Sequence, residues 1–581
     1  MEIKNGMDWT DLYDQKTMVE YANKLADDVI LEIYNKKLSI YKTLSSKELL
    51  LLLRFPINSV TYMFIERLLR VSFQIETKSG VAYPKIDYEL HYFNNTREVV
   101  LSYYHDYAIN HAILHKIQCI FNHNEFLHMQ TIKNLPKPQE SLLKREDGFN
   151  LKKQARKILA SINSFYVKLI KPKVIGEYSG WMKSTLSSRD LFHFDFLGSA
   201  REINYDIRSQ IKGCYENIFF KYANKFVGAM DEIQAKKVSK AYAEFMDCAL
   251  PLSIVEGFEE KYAYYKSRLN QWDIKQVHSF TGYSLNENFK IFAFLAKRKG
   301  ALLVCHDHGV VNYQPFFAHA DNELRFIDYF FTWGKANSDW IKSKRPHVNV
   351  KIINYGTPFL YYLLSSLKLK KWRGRDNNSE DIVVLYPAQP LTEFMRDLDS
   401  LSPEKFYQHR LNMLCLLKEI KTLYHNLKIL YKPFPGTDSC YDPIQNDLVK
   451  SCNDGSIKVL DINVLPMSLY DKVDFVLWDS ISTGFAESIQ TGVPTLVFQS
   501  KYEFNCISSD EGKKINRELV KCGMVFYDVK SGINSFNRVV NDLPGFIEDR
   551  KEPIKRFKEA LAYPVAKKDF LQQMEAALSN G

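Results

Sequence analysis

The sequence predicts an α/β protein in which two domains of alternating strands and helices face each other across a cleft, with an extra, mostly helical N-terminal region. Three observations carry that expectation. A length of 581 residues implies two to four domains. Hydrophobic periodicity is helical over residues 1–155 and afterwards alternates between short apolar runs and helical stretches. The alternation comes in two series separated by a polar segment, and repeated strand–helix units build parallel sheets. The expected domains are a helical region at 1–155, a first α/β domain at 156–367, a second at 368–545 and C-terminal helices at 546–581.

In the N-terminal region, apolar residues recur at helical spacing from Ser45 to Val71. A break is expected near Arg54-Phe55-Pro56, because proline lacks the donor that a helix interior needs. Tyr103 to His128 is a second helical run. The first strand series comprises Lys173–Glu177, Gln276–Phe280, Ala301–Cys305, Phe326–Thr332 and Lys351–Asn354, with a helix from about Asn286 to Arg298. A charged linker, Lys368 to Asp381, precedes the second series. Its strands are Ile382–Tyr386, Lys428–Tyr431, Ile457–Leu460, Val473–Trp478 and Pro494–Phe498, with helices at Glu404–His425 and Thr483–Thr491. In open α/β sheets of this Rossmann-like kind, ligands sit at the carboxyl ends of the strands. The residues just after each strand are therefore the candidates for chemistry.

Composition narrows the functional classes. Hydrophobic residues make up 46% and charged residues 25%, so the chain can bury large cores. The net charge of +10 is dispersed and forms no long basic block, which argues against nucleic acid as a partner. A modest positive excess suits anionic partners, such as a nucleotide diphosphate or the inner face of a membrane. Nine scattered cysteines contain no CxxC pair, which fits a reducing cytosol and neither a zinc site nor a disulfide framework. The start of the chain carries no basic-then-apolar signal pattern, and the apolar burst Leu49–Leu53 meets Arg54 and Pro56 well short of the roughly 20 residues that span a bilayer. The expected location is the cytoplasm, with peripheral contact at the inner membrane.

The strongest chemical signal lies in the second series. The strand ending at Trp478 runs into Asp479-Ser480-Ile481-Ser482-Thr483-Gly484, and a helix carrying Glu487 follows. Small hydroxyl residues and a glycine at a helix N-terminus leave outward N–H groups, which with the helix dipole form an anion site. Ser480, Ser482 and Thr483 can add hydroxyl bonds to phosphate oxygens. Glu487, four residues beyond Thr483, shares its helix face and can take a ribose hydroxyl. The second piece is Lys432-Pro433-Phe434-Pro435-Gly436, also after a strand, where a lysine can meet a phosphate as a point charge. Each piece alone is equally an ordinary cap or a surface lysine. Their placement on neighbouring strand–helix units of one domain lifts the reading.

Together these motifs resemble the C-terminal domain of GT-B glycosyltransferases, most nearly capsule Kdo transferases and related surface-carbohydrate transferases. Those carry a Lys-Pro-His-Pro loop and a Ser/Thr-rich Thr-Gly-Phe-Glu-Ala segment. The whole chain is similar to transferases from O-antigen and flagellin-glycan gene clusters, some of which use CMP-activated nonulosonic acids. Here Phe434 replaces the histidine of that loop, and Ala486-Glu487 reverses the Glu-Ala order. The motifs cover roughly 270–500. The resemblance implies a GT-B-like fold and donor contacts from Lys432, Ser480, Ser482, Thr483, Gly484 and Glu487.

In the first series, the strand Ala301–Cys305 empties into His306-Asp307-His308-Gly309, with Tyr313 just beyond. Titratable groups at the carboxyl end of a sheet suit general acid–base work. A His-Gly pair here also resembles the catalytic loop of Kdo transferases and CDP-glycerol polymerases. His308 is the candidate general base or phosphate stabiliser, and Asp307 orients it or binds acceptor. Glu177 and Glu256 are secondary candidates for acceptor binding or base, and both can equally be structural. Asp397-Leu398-Asp399 spells a metal–nucleotide motif, but no apolar strand precedes it, so neither a metal nor any other cofactor is expected.

The function expected is glycosyl transfer, from a nucleotide-activated sugar to a glycan, lipid-linked or protein acceptor. The alternatives are a nucleotide-sugar epimerase of the same fold and a CDP-glycerol-type polyol-phosphate transferase.

Overall fold

The computed structural model describes residues 9–77, 83, 92–105, 107–122, 173–179, 182–187, 190–194, 202–228, 230–307, 309–310, 324–344, 349–366, 381–391, 402–434, 442–450, 455–506 and 509–579. The first series of strands is β1 (Val174–Glu177), β2 (Leu191–Phe192), β3 (Gln276–Ser279), β4 (Leu302–His306), β5 (Tyr329–Thr332) and β6 (Lys351–Asn354). The second is β7 (Ile382–Pro387), β8 (Leu427–Lys432), β9 (Ile457–Val459), β10 (Phe475–Trp478), β11 (Thr495–Phe498) and β12 (Val525–Phe526).

Each series forms one six-stranded sheet, with parallel pairing throughout. The first runs β2-β1-β3-β4-β5-β6 and the second β12-β11-β10-β7-β8-β9. Counted from β7, the second order is that of a doubly wound dinucleotide-binding sheet, and its order reverses between β7 and β10. A crevice opens at such a switch because the connections leave β7 and β10 toward opposite sides. The two Rossmann-like domains and the helical N-terminal region are the GT-B-like architecture expected from the sequence.

Burial follows the two-residue period of a strand. In β10, Phe475 and Leu477 join a core with the helices Pro403–Leu423 and Val529–Asn541. Val476 and Trp478 point the other way, into a core with the helices Thr483–Thr491 and Lys551–Leu561. That second core also takes Val310, Trp333, Phe359, Leu360 and Leu363 from the first domain, so the two domains share one apolar interior. The first sheet is covered on one face by the helix Glu287–Arg298, and the N-terminal helices with Tyr205–Phe226 and Glu232–Ala249 extend the same core beyond it. On its other face Val304, Tyr329 and Phe331 pack against Phe570, Met574 and Leu578 of the helix Lys567–Ser579, which returns from beyond the second sheet.

The expected break at Pro56 is absent. Ser46–Glu76 is one 31-residue helix, opened by a capping box between Ser45 and Glu48. It lies in the interior, and its burial on both sides of Pro56 offsets the missing backbone bond. Arg54 stays inside by pairing with Asp27 at 2.6 Å. The expectation that no apolar stretch reaches membrane-spanning length is corrected with it. By length and composition this helix could cross a bilayer, and 89% of the apolar stretch is buried within the protein. The same helix reaches the second domain, where Arg70 bonds Glu404; beside it the Lys405 amine donates to Thr10, ahead of the first α-helix, at 2.6 Å.

Candidate functional site

A cavity of about 380 Å³ opens at the β7/β10 switch. Its polar lining is Lys432, Ser482, Thr483, Gly484, Glu487 and Gln389. Phe434, Val464, Leu465 and Trp478 supply an apolar wall, and Val310 closes it from the first domain.

The floor is held by Asp479, the first residue after β10. Its carboxylate accepts the Gln389 N–H at 3.0 and 3.1 Å, pinning the chain after β7 to the chain after β10. Tyr386 donates to the same carboxylate at 3.2 Å, and Arg410 pairs with it at 3.2 Å. Arg410 and Asp479 are both buried, so each charge requires the other. Arg410 also donates to the Gln389 carbonyl at 2.6 Å. Asp479 therefore positions the site rather than meeting a ligand.

From that floor the helix Thr483–Thr491 rises. Ser482 occupies its N-cap with an extended backbone, and its hydroxyl makes no capping bond, which leaves the first turn open toward the cavity. Gly484 is required, since a methyl group there would collide with the Trp478 ring. Ser480 is buried, does not line the cavity, and its hydroxyl has no hydrogen-bond partner.

Lys432 ends β8, is 5% exposed and donates to the Pro433 carbonyl at 2.7 Å. Burial lowers its amine below the ordinary lysine value, partly offset by the Asp461 carboxylate. An incoming phosphate would meet a desolvated cation, and such a pair is stronger than one in water. Burial pushes the Glu487 carboxyl up to about 8. At neutral pH it is therefore largely protonated, able to donate a hydrogen bond and adding little negative charge beside an anion.

The two domains touch at this point. Gly309 lies so close to Thr483 that a methyl group on it would strike the threonine hydroxyl. Asp307, at the end of β4, is 2% exposed; it takes a bond from Asn337 at 3.4 Å and donates its own N–H to the Phe331 carbonyl at 2.8 Å. His306 faces inward, paired with His278 at 3.0 Å among Phe280, Phe331 and Phe570. His308, Tyr313, Pro435, Gly436, Asp397 and Asp399 lie outside the described residues.

The two secondary carboxylates have structural partners. Glu177 accepts from Ser279 at 2.8 Å and Asn286 at 3.1 Å, tying β1 to the end of β3 and to the segment beyond it. Glu256 holds the buried Arg208 guanidinium through two bonds, at 2.7 and 2.8 Å. Sequence reasoning missed Gln389, Arg410 and the segment Ile462–Pro466. The last follows β9, so the rule of inspecting strand ends reaches it.

A sequence model described as LIC12162 family transferase matches residues 6–562. The chain belongs to that family. Solved structures to which this LIC12162-family transferase is similar include the UDP-GlcNAc 2-epimerase from Methanocaldococcus jannaschii, at 14% identity and TM-score 0.37 over 56% of this chain and 82% of that one. A glycosyltransferase from Rickettsia africae is similar at 11% identity and TM-score 0.35, over 55% and 80%. MurG from Acinetobacter baumannii is similar at 13% identity and TM-score 0.32, over 54% and 77%. No curated protein matches the chain.

Proposed function

We propose that the protein is a glycosyltransferase drawing its sugar from a nucleotide donor held in the β7/β10 cavity. One observation carries the reading: a desolvated lysine, Lys432, shares a cavity with the uncapped first turn of the helix at Thr483. This combination suits a phosphate that gains charge as a sugar leaves it, because preorganised donors stabilise charge where it develops. Ser482 and Thr483 add hydroxyl bonds to the phosphate, and Glu487 donates to a ribose oxygen. The apolar wall at Phe434 and Leu465 suits a nucleobase.

The acceptor enters from the first domain, and its hydroxyl attacks the anomeric carbon as the bond to the donor phosphate breaks. His308, beside Gly309, takes the hydroxyl proton or steadies the phosphate. Transfer proceeds without a metal and at the cytoplasmic face of the membrane. The resemblance of the Lys432–Gly436 and Asp479–Gly484 loops to those of Kdo transferases supports a CMP-activated nonulosonic acid or Kdo-type sugar. The acceptor is a surface glycan, in lipid-linked or protein-bound form.

The test is a thermal-shift panel of CMP, CDP, UDP, GDP and their sugars. The expected result is a shift with CMP and CMP-sugars above all others. No shift with any nucleotide would sink the reading. Turnover of donor without acceptor would point to an epimerase instead.

A further inference from the structure

The helix Thr483–Thr491 joins two cavities. Its N-terminus opens on the donor cavity, while its other end, about 13 Å away at 1.5 Å per residue, borders a second cavity of about 490 Å³. This one lies behind the second sheet, between the starts of β11 and β12 and the helices Leu543–Glu548 and Lys551–Leu561.

Its lining combines two chemistries. Ile489, Val493, Met524 and Ile554 form an apolar trough. Arg550, Lys551, Lys555 and Lys558 add four cations, and Glu559 is the one carboxylate among the lining residues. The helical period brings these together, because Lys551, Ile554, Lys555 and Lys558 fall on one face of Lys551–Leu561.

Lys551 pairs with Glu548, while Arg550, Lys555 and Lys558 carry no ion pair among the described residues. Arg550 is 2% exposed and spends its donors on the carbonyls of Phe546 and Gly523, while its Nε is buried with no partner. The adjacent carboxylate, Asp549, is engaged by Arg538. Burial pushes the Arg550 guanidinium down to about 8 and lowers the Lys558 amine as well, as expected for cations held without a counter-charge. A buried cation without a counter-charge destabilises the fold, and an anion in the cavity would reverse that cost.

We infer that this cavity binds an amphiphilic anion, a phosphate group carried on a hydrocarbon chain. The headgroup meets Arg550, Lys555 and Lys558, and the chain lies along Ile489, Val493 and Ile554. Cations alone would suit inorganic phosphate, and a trough alone would suit any alkyl chain. The pairing of the two selects a molecule with both.

Isothermal titration of the full chain with decyl phosphate, kept below its micelle-forming concentration, tests this against inorganic phosphate and against decyl glucoside. Decyl phosphate is expected to bind at least about ten-fold tighter than either, because each of the others lacks one half of the recognition. Lys555→Met and Lys558→Met are each expected to weaken it about ten-fold, the loss of one charge-assisted bond. The nucleotide-induced thermal shift should be unchanged in both variants, which separates this site from the donor cavity. Lys555 is exposed, so its variant keeps the test available if Lys558→Met fails to fold. Equal binding of inorganic phosphate or of decyl glucoside would overturn the proposal. So would decyl phosphate binding that neither substitution alters.

Discussion

Gly309 and Thr483 meet across the two domains with no room for a side chain on the glycine. Gly309, three residues beyond β4, thereby rests on the first turn of the helix Thr483–Thr491, and the distance between the domains is set there at van der Waals contact. Gly309→Ala should force them apart and lower stability by about 1–3 kcal/mol, the usual cost of overpacking. Thr483→Ala in the same chain should recover most of that loss. The threonine Cβ lies 3.5 Å from where the new methyl would sit, which is ordinary contact. Denaturant melts of the two single variants and the double variant give the coupling, and simple additivity would refute the contact.

Lys432→Met should separate binding from stability. Removing the amine is expected to weaken nucleotide binding by about ten- to a hundred-fold, the range for a hydrogen bond to a charged group. Chemical stability should hold or rise, since burial already disfavours the ammonium. Calorimetry with nucleotide and a denaturant melt read the two quantities. Undiminished affinity would remove Lys432 from the site.

If the proposed donor site is right, Glu487 should make nucleotide binding depend on pH. Its carboxyl rises from an ordinary 4.5 to about 8 through burial. The folded state thus favours the neutral form. Its contribution is fully present below about 4.5 and is lost as pH rises through about 8. Over the same upper range the new carboxylate repels phosphate, so affinity should fall between about pH 7 and 9. Glu487→Gln should flatten both trends, and an unaltered pH profile of binding in that variant would argue against the assignment.

The His278–His306 pair sets an acid limit instead. Burial pushes His278 from 6.5 to about 3 and lowers His306 as well, with the two rings 3.0 Å apart at nitrogen. For bases depressed in the fold, stability is present above about 6.5 and is lost as pH falls toward about 3. His278→Gln should make the melting temperature less sensitive to acid over that interval. Equal slopes for both proteins would show that other groups carry the acid response.

Glu256 should prove structural when tested. Glu256→Gln leaves the buried Arg208 only the more distant Asp247 carboxylate, at 3.7 Å, and losing bonds to a charged group typically costs about 1.5–3 kcal/mol. An acceptor-binding role would instead raise the acceptor KM and leave the melt unchanged. Running both measurements on one variant decides between them.

The sequence made the second domain more legible than the first, and particular residues show why. The helix Thr483–Thr491 was readable end to end, because hydroxyl residues open it and Gly492 follows it. Strands β7 and β10 are buried on both faces and so read as continuous apolar runs. Strands β2 and β12 have two residues each, too few to show a period. The helices Tyr205–Phe226 and Glu232–Ala249 went unread, although Asn204 caps the first and an Asp231–Gln234 capping box opens the second. Pro56 misled for a tertiary reason, since burial overrode a local penalty. Lys432, Ser482, Thr483, Gly484 and Glu487, which line the cavity, are marked in the sequence by their place at a strand end or in the first two turns of a helix. Arg410 was invisible because it reaches Asp479 from mid-helix, and nothing local marks a long-range ion pair.

The return of Lys567–Ser579 to the first sheet has a consequence for synthesis. While a ribosome is still making the second domain, Val304, Tyr329 and Phe331 share that face with Met182, Leu186 and Phe280 but lack Phe570, Met574 and Leu578, and part of the apolar surface stays open. The earliest sheet to emerge is thus completed by some of the last residues described. A chain halted after residue 561 would retain the second sheet while leaving the first sheet adhesive, and chaperones, proteases or other unfinished copies would meet that face first.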